Sequence, residues 1–352
     1  MKRKTVYFTA PRQVELREEP LPALGADDVL VETICSSISA GTEMLVYRGQ
    51  FPHVMDSRDN LSSDLHYPLA FGYSNVGVVR ETGKQVNKDL RDKLVFGFQP
   101  HTSAFICHPS SLLFAPVSSA GTPALPAEAC SFLPNMETAV NLIQDAAPIL
   151  GERVLVLGQG VVGLLVASLL KEFPLEVLVT SDCYELRRKA SREIGVDDSF
   201  DSISQIDNHS NSTEKNNSTN NTKSQSGYAQ NFDLTFELTG SPSALDDAIA
   251  LTAFSGRIVI GSWYGEKRAD VDLGGAFHRS RIKLISSQVS TIAPELSGRW
   301  DKARRFNVAW EALRRIQPQK WITHRFPIDN ADEAYRLLDE NPQETIQVIF
   351  KY

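Results

Sequence analysis

Residues 153–182 read RVLVLGQGVVGLLVASLLKEFPLEVLVTSD. The apolar run Val154–Leu157 enters Gly158-Gln159-Gly160-Val161-Val162-Gly163 and continues into a stretch of helical length, Val161–Glu172. A second apolar run, Glu176–Thr180, stops at Ser181-Asp182. This order predicts strand, glycine turn, helix and parallel strand. G-x-G-x-x-G is weak alone, but this context gives each glycine a task. Gly158 permits the tight turn, Gly160 lets backbone approach a pyrophosphate, and Gly163 lets helix and strand pack closely. The free N–H groups at the helix start attract phosphate. Asp182, nineteen residues past Gly163, is placed to accept the ribose hydroxyls of an adenosine, and it disfavours a 2′-phosphate. NAD is therefore the expected cofactor, and Ser181 and Arg187 leave NADP possible. The bland alternative is a glycine turn that binds nothing, with Asp182 capping a helix.

Outward from this stretch, Glu185–Ile194 reads as a helix, and Asp233–Leu238, Ser243–Thr252 and Arg257–Ile260 continue the strand–helix alternation. Upstream, the short runs Val29–Ile34, Val76–Arg80, Lys93–Phe98 and Ser103–Ile106 read as strands broken by Gly, Pro and Ser. Glu128–Ala146 reads as helix with a break at Pro134. The expected fold class is α/β, a β-rich region followed by a doubly wound parallel sheet. Residues 207–226 hold 14 Asn, Ser or Thr in 20 positions and nothing apolar, which predicts a disordered surface insertion. The polar segment 49–66 predicts a surface loop.

At 352 residues, with 42% hydrophobic and 22% charged, the chain predicts about two domains. Its net charge of −7 argues against a nucleic-acid partner. Cys35, Cys107, Cys130 and Cys183 are scattered without a C-x-x-C, which disfavours a disulfide framework or a cysteine-rich zinc lobe. The longest apolar stretch, Val154–Leu170, is interrupted by Gln159 and glycines and too short for a confident span. With no signal-like start, a cytoplasmic location and no stable membrane insertion are expected.

These residues together resemble the medium-chain dehydrogenases/reductases, the alcohol-dehydrogenase type, over nearly the whole chain. The resemblance rests on the glycine motif, Gly41-Thr42-Glu43 with Tyr47-Arg48-Gly49, Tyr67-Pro68 with Gly72, and Gly240 and Gly261. Within that superfamily, SAGTE (39–43), YPLAFGY (67–73) and ITHRFP (322–327) look most like the bacteriochlorophyllide a dehydrogenase branch. The resemblance implies a GroES-like catalytic domain over 1–139, completed by 291–352, and a Rossmann domain over 140–290. It also implies a homodimer, with the segment Asp270–Ser290 as the place for its interface. The implied cofactor-binding set is Gly158, Gly160, Val161, Val162, Gly163, Asp182 and Arg187, with Thr138, Thr239 and Ser262.

Zinc members of the superfamily carry metal ligands at three places occupied here by Ala40, Tyr73 and Pro134, none of which suits a His/Cys zinc site. A zinc-independent enzyme is therefore expected, and the proton work falls to side chains. Thr42 matches the family's proton-relay hydroxyl, or is a loop threonine bonded to backbone. Tyr73 stands where a ligand would be, as donor to the substrate oxygen or as a space-filling aromatic. Glu43 replaces an acid next to the metal; its bland reading is a salt bridge, with Arg48 as the partner nearest in sequence. His101 reads as structural. Glu137 either orients substrate or caps its helix. His278, Arg279 and Arg281 form a basic cluster that either binds a substrate carboxylate or sits on a solvated face or oligomer edge, and Ser286-Ser287-Gln288 reads as a lined pocket near the nicotinamide. Phe51, Tyr73, Trp263 and Tyr264 would suit a large flat ligand. The expected function is alcohol–carbonyl interconversion on a small-molecule substrate. The alternatives are an NADPH-dependent enoyl or quinone reductase, which Asp182 opposes, and a dinucleotide-binding protein without catalysis.

Overall fold

The β-branched run in VLVETICSS forms Val29–Ser37, buried at seven of its nine positions and central to a seven-stranded sheet, with Val29 and Val31 fully buried. The computed structural model describes residues 1–51, 65–119, 121–206 and 232–352. The expected insertion at 207–226 and most of the expected loop at 49–66 lie outside the described residues. By its internal contacts the chain forms two units, 1–136 with 306–352, and 137–305. Arg305, the last residue of the second unit, is bonded to Glu137 and Asn141 within it. Both changes of unit fall inside helices, Leu133–Ala146 and Lys302–Ile316.

In the first unit, Asn75–Thr82 and the return strand Gln347–Lys351 flank Val29–Ser37, both antiparallel to it. Ala104–Cys107 pairs with the start of the central strand. A smaller sheet joins Gln13–Pro20, Lys2–Ala10 and Leu69–Ala70. Phe8, Tyr47, Phe51, Tyr335 and Phe350 form an aromatic core, with Tyr47 stacked on Tyr335 at 5.4 Å. Burying each such ring stabilises by about 2–3 kcal/mol. Phe51 is 1% exposed in this core, so it is not the ligand-facing aromatic that its sequence position suggested. The helical break before Leu133 falls at Ser131-Phe132, with Ser131 closing the helix Ala127–Cys130. Pro134 is instead the second residue of the next helix, where a missing N–H breaks no bond.

The second unit is a fully parallel sheet in the order Asp198–Phe200, Val177–Ser181, Arg153–Leu157, Phe232–Glu237, Thr252–Ile260, Lys283–Ser286. Val154–Leu157 is buried throughout, as expected of a strand covered on both faces. The helix Val161–Leu170 is apolar all round and buried along nearly its whole length. Helix Glu185–Ile194 stops at Gly195, whose φ of 89° is the left-handed stop that glycine adopts freely. The chain departs from Arg153–Leu157 first to one side and then to the other. The crevice at its carboxyl end is therefore the switch point where a doubly wound sheet binds dinucleotides.

Candidate active site

Of the expected cofactor residues, the glycine turn, Asp182, Thr239 and Ser262 follow the carboxyl ends of parallel strands. Gly158 follows the first strand at φ 89°, and its N–H donates to Ser181 O at 2.8 Å. A Cβ on Gly158 would lie 2.6 Å from Leu238 O, and one on Gly163 would lie 1.9 Å from Gly158 O. The fold itself thus requires both glycines. Among the described residues, nothing beyond its chain neighbours lies within 4 Å of a Cβ on Gly160. Gly160 is the cap of the helix Val161–Leu170 and has no side chain to bond its first N–H groups. Open space beside free helix N–H groups fits a pyrophosphate. Val161 is buried and Val162 half-buried in the first turn.

Asp182 ends the second strand at 8% exposure. Its Oδ2 accepts from Gln159 N at 2.7 Å and its Oδ1 from Tyr184 N at 2.9 Å. The carboxylate therefore braces the glycine turn and points its remaining acceptor capacity elsewhere. Arg187 Nη1 lies 3.8 Å from Asp182 Oδ2, and its guanidinium covers the Tyr184 ring at 4.8 Å. Across the switch point, Glu237 is fully buried. It accepts from Thr239 N at 2.8 Å, Thr239 Oγ1 at 2.5 Å and Tyr264 OH at 2.5 Å. Burial and this carboxylate push the Tyr264 phenol upward, and its hydroxyl is committed to Glu237 rather than displayed to a ligand. Ser262 Oγ accepts from Gly240 N at 2.9 Å. Thr138 is half-buried on the helix Leu133–Ala146. That helix packs so closely that a Cβ on Gly261 would lie 2.7 Å from Leu142.

The first unit holds the expected proton-handling residues. Thr42 and Glu43 open the helix Thr42–Arg48. Tyr73 is half-buried. Burial, and then the Glu43 carboxylate, push its phenol up to about 12, against the opposing pull of the Ser39 and Thr42 hydroxyls.

Glu43 faces inward and is fully buried. Its Oε1 accepts from Ser39 N at 2.9 Å and its Oε2 from Tyr335 OH at 2.9 Å, and Oε2 lies 2.8 Å from His101 Nε2. His101 Nδ1 lies 2.6 Å from Ser36 Oγ, which lies 2.7 Å from Tyr352 OH. The expected partner Arg48 is instead on the opposite side of its helix, bonded to Asp339 at 2.6 Å. His101 is buried within this network, and a Cβ on Gly72 (φ 121°) would lie 2.8 Å from its Cδ2. That contact gives the glycine of YPLAFGY its physical reason.

Glu137 neither faces solvent nor caps a helix. It is buried against Arg305 Nη2 at 2.9 Å and Lys302 Nζ at 2.5 Å. His278, Arg279 and Arg281 are exposed. Ala40, Tyr73 and Pro134 carry no imidazole, thiol or carboxylate. Among the described residues, no group of three or more His, Cys, Asp and Glu could hold a metal ion. All four cysteines are free, and burial pushes the Cys35 and Cys130 thiols up to about 12.

No family model matches the chain. A curated relative named L-idonate 5-dehydrogenase (NAD(P)(+)), from Escherichia coli K12, is 24% identical over 224 residues, which are 62% of this chain and 57% of that protein. The chain thus spans just over half of that relative. A 2-desacetyl-2-hydroxyethyl bacteriochlorophyllide A dehydrogenase from Cereibacter sphaeroides is 31% identical over 119 residues, 34% of this chain and 31% of that one. Other relatives are named D-guloside and L-threonine 3-dehydrogenases. Among solved structures, an Escherichia coli CFT073 protein described as a short chain alcohol dehydrogenase complexed with NADH superposes with a TM-score of 0.74. It is 17% identical and covers 100% of this chain and 99% of that one. The fold is that of alcohol dehydrogenases, and the relatives named here are dehydrogenases. Among the described residues, no helix is long and apolar enough to cross a membrane.

Proposed function

We propose that this chain is a zinc-independent, nicotinamide-dependent oxidoreductase that interconverts an alcohol and a carbonyl on a small molecule. The observation that carries the reading is the open space at Gly160 beside an uncapped helix start, with Asp182 at the end of the adjacent strand. Gly158, Gly160, Val161, Val162 and Gly163 would hold the pyrophosphate, and Asp182 and Arg187 the adenosine ribose. Thr138, Thr239 and Ser262 would line the other half. When bound, NAD or NADH supplies the hydride acceptor or donor. NAD is favoured because Asp182 repels a 2′-phosphate; Arg187 at 3.8 Å softens that repulsion and supports some acceptance of NADP.

The chain's own contribution is the proton. Oxidation of an alcohol removes a hydride from carbon and a proton from oxygen, and carbonyl reduction returns both. Tyr73 would give the proton to the substrate oxygen, with Thr42 as the alternative donor. A phenol pushed up to about 12 keeps its proton at neutral pH, the form that donates to a carbonyl oxygen; alcohol oxidation would return the proton to it. Glu43 sustains that state as the charge beside the phenol. No step is assigned to zinc, because the residues at its places do not fit it. The bacteriochlorophyllide-type substrate, a hydroxyethyl group on a macrocycle, rests on the 119-residue match. A homodimer would pair through the edge strand Lys283–Ser286, whose Leu284 is 38% exposed.

Calorimetric titration with NADH and NADPH, beside metal analysis, tests the cofactor and zinc claims. Tight NADH binding, weaker NADPH binding and no stoichiometric zinc are expected. Preference for NADPH moves the enoyl or quinone reductase reading forward, and failure to bind either nucleotide removes the enzyme claim. Once an alcohol or carbonyl substrate is found by screening, Tyr73→Phe should lower kcat by about 10²–10⁴-fold with NADH affinity unchanged. An unchanged kcat would leave Thr42 as the proton donor.

A further inference from the structure

Arg305 is fully buried, and its guanidinium uses all five of its N–H groups. Nε and Nη2 donate to Glu137 Oε1 at 3.1 and 2.9 Å. Nη1 donates to Thr291 O at 3.0 Å and to Asn141 Oδ1, and Nη2 also donates to Val289 O. Glu137 and Asn141 lie on the helix Leu133–Ala146, whereas Val289 and Thr291 follow the last parallel strand, Lys283–Ser286. One side chain thus ties the turn after that strand to the helix. Ser287, at the start of the turn, is held in the same way: its Oγ accepts from Asn141 Nδ2 at 2.9 Å and donates to Asp145 Oδ2 at 2.6 Å.

A buried guanidinium–carboxylate pair is a poor source of stability, because desolvating both ions cancels most of their attraction and apolar residues of similar volume often do as well. What a planar fork supplies is direction: it fixes two backbone carbonyls in one place. The turn it fixes lies at the carboxyl end of the second half of the parallel sheet. A doubly wound sheet lays a dinucleotide across those ends, one mononucleotide over each half. Asp182 marks the first half for adenosine, so the Ser287–Thr291 turn borders the half left for nicotinamide.

We propose that Arg305 is a positioning residue for the nicotinamide half of the cofactor, acting through the Ser287–Thr291 turn that it holds against the helix Leu133–Ala146. The proposal rests on the reading of the chain as a dinucleotide oxidoreductase. ADP-ribose separates the two, since it shares adenosine and pyrophosphate with NADH but lacks nicotinamide. In calorimetric titrations, Arg305→Met, which keeps bulk and removes every donor, should weaken NADH about tenfold and ADP-ribose by less than about twofold. Arg305→Lys, which keeps the charge and loses the fork, should fall between wild type and Arg305→Met. Equal losses for both ligands, or no loss for either, overturn the positioning role.

If Arg305→Met does not fold, Glu137→Gln keeps the acceptor oxygen and carries the same ratio test, with an NADH-selective loss of about threefold expected. An unselective loss, or none, overturns the proposal there too. A wild-type protein that binds neither ligand overturns the dinucleotide reading and this inference with it. A wild type that binds both, with no selective effect in any variant, overturns the positioning role alone.

Discussion

The glycine turn of the second unit and the Glu43 network of the first handle polar groups in opposite ways. At the turn, the proposed function depends on what is left open: among the described residues, no atom beyond the chain neighbours lies within 4 Å of a Cβ on Gly160, whose cap brings no side chain to the helix N–H groups. Around Glu43, the named polar groups are closed on one another, from Tyr335 through Glu43 and His101 to Ser36 and Tyr352. An open backbone surface leaves its hydrogen bonds for a ligand to complete. A closed buried network completes its own and thereby fixes one arrangement of side chains. Damage should accordingly show as lost binding in the first case and lost stability in the second.

The largest expected effect is in the network. Glu43→Ala leaves His101 and the Tyr335 hydroxyl buried without their shared partner and should cost about 3–5 kcal/mol in urea unfolding. A cost below about 1 kcal/mol would mean that water or rearrangement restores the bonds, and the contrast between closed and open would fail.

The next effect divides the glycines. Gly163→Ala forces a methyl against Gly158 O and should destabilise by about 2–3 kcal/mol. Gly160→Ala should alter stability by less than about 0.5 kcal/mol, yet weaken NADH about a hundredfold. Equal melting temperatures for the two variants would remove the distinction between a glycine the fold needs and one the ligand needs.

The smallest effect lies at high pH. Burial pushes the Tyr335 phenol well above its ordinary value of 10, and the Glu43 carboxylate pushes in the same direction. Below pH 10 both folded and unfolded states keep that proton. Above it the unfolded chain releases the proton first, so stability falls as pH rises. Each such phenol contributes a decline of about 1.4 kcal/mol per pH unit. Tyr335→Phe should make the alkaline decline shallower by that amount, read from unfolding midpoints between pH 10 and 11.5. An unchanged slope would place the tyrosine outside the closed network's titration.

The glycine turn was legible because its logic is local. The residues that brace it, Gly158, Gly163 and Asp182, lie within one strand–helix–strand unit, and periodicity reveals that unit. The Glu43 network was not. Tyr335 is 292 residues from Glu43 and His101 is 58 away, and periodicity reports which positions are buried, never which partner they meet. Arg48 looked like the partner because it was near in sequence, but the helix turns Glu43 inward and Arg48 toward Asp339. Ser39 did carry a signal, since it opens SAGTE, three residues ahead of Thr42. Arg305 carried none: a basic residue in KARRFNVAW reads as solvated helix surface until Glu137 is found beside it. Pro134 misled for another reason, because proline breaks helix interiors but begins helices readily.

The bond between Arg305 and Glu137 has a topological consequence. Glu137 is the first residue of the second unit and Arg305 its last, so the chain leaves this unit where it entered, with both ends pinned by one ion pair. A segment whose ends meet can be excised, exchanged or inserted elsewhere with little chain to bridge and little closure entropy to lose. In evolutionary terms the second unit has the outline of a cassette, with its clasp made from its own terminal side chains.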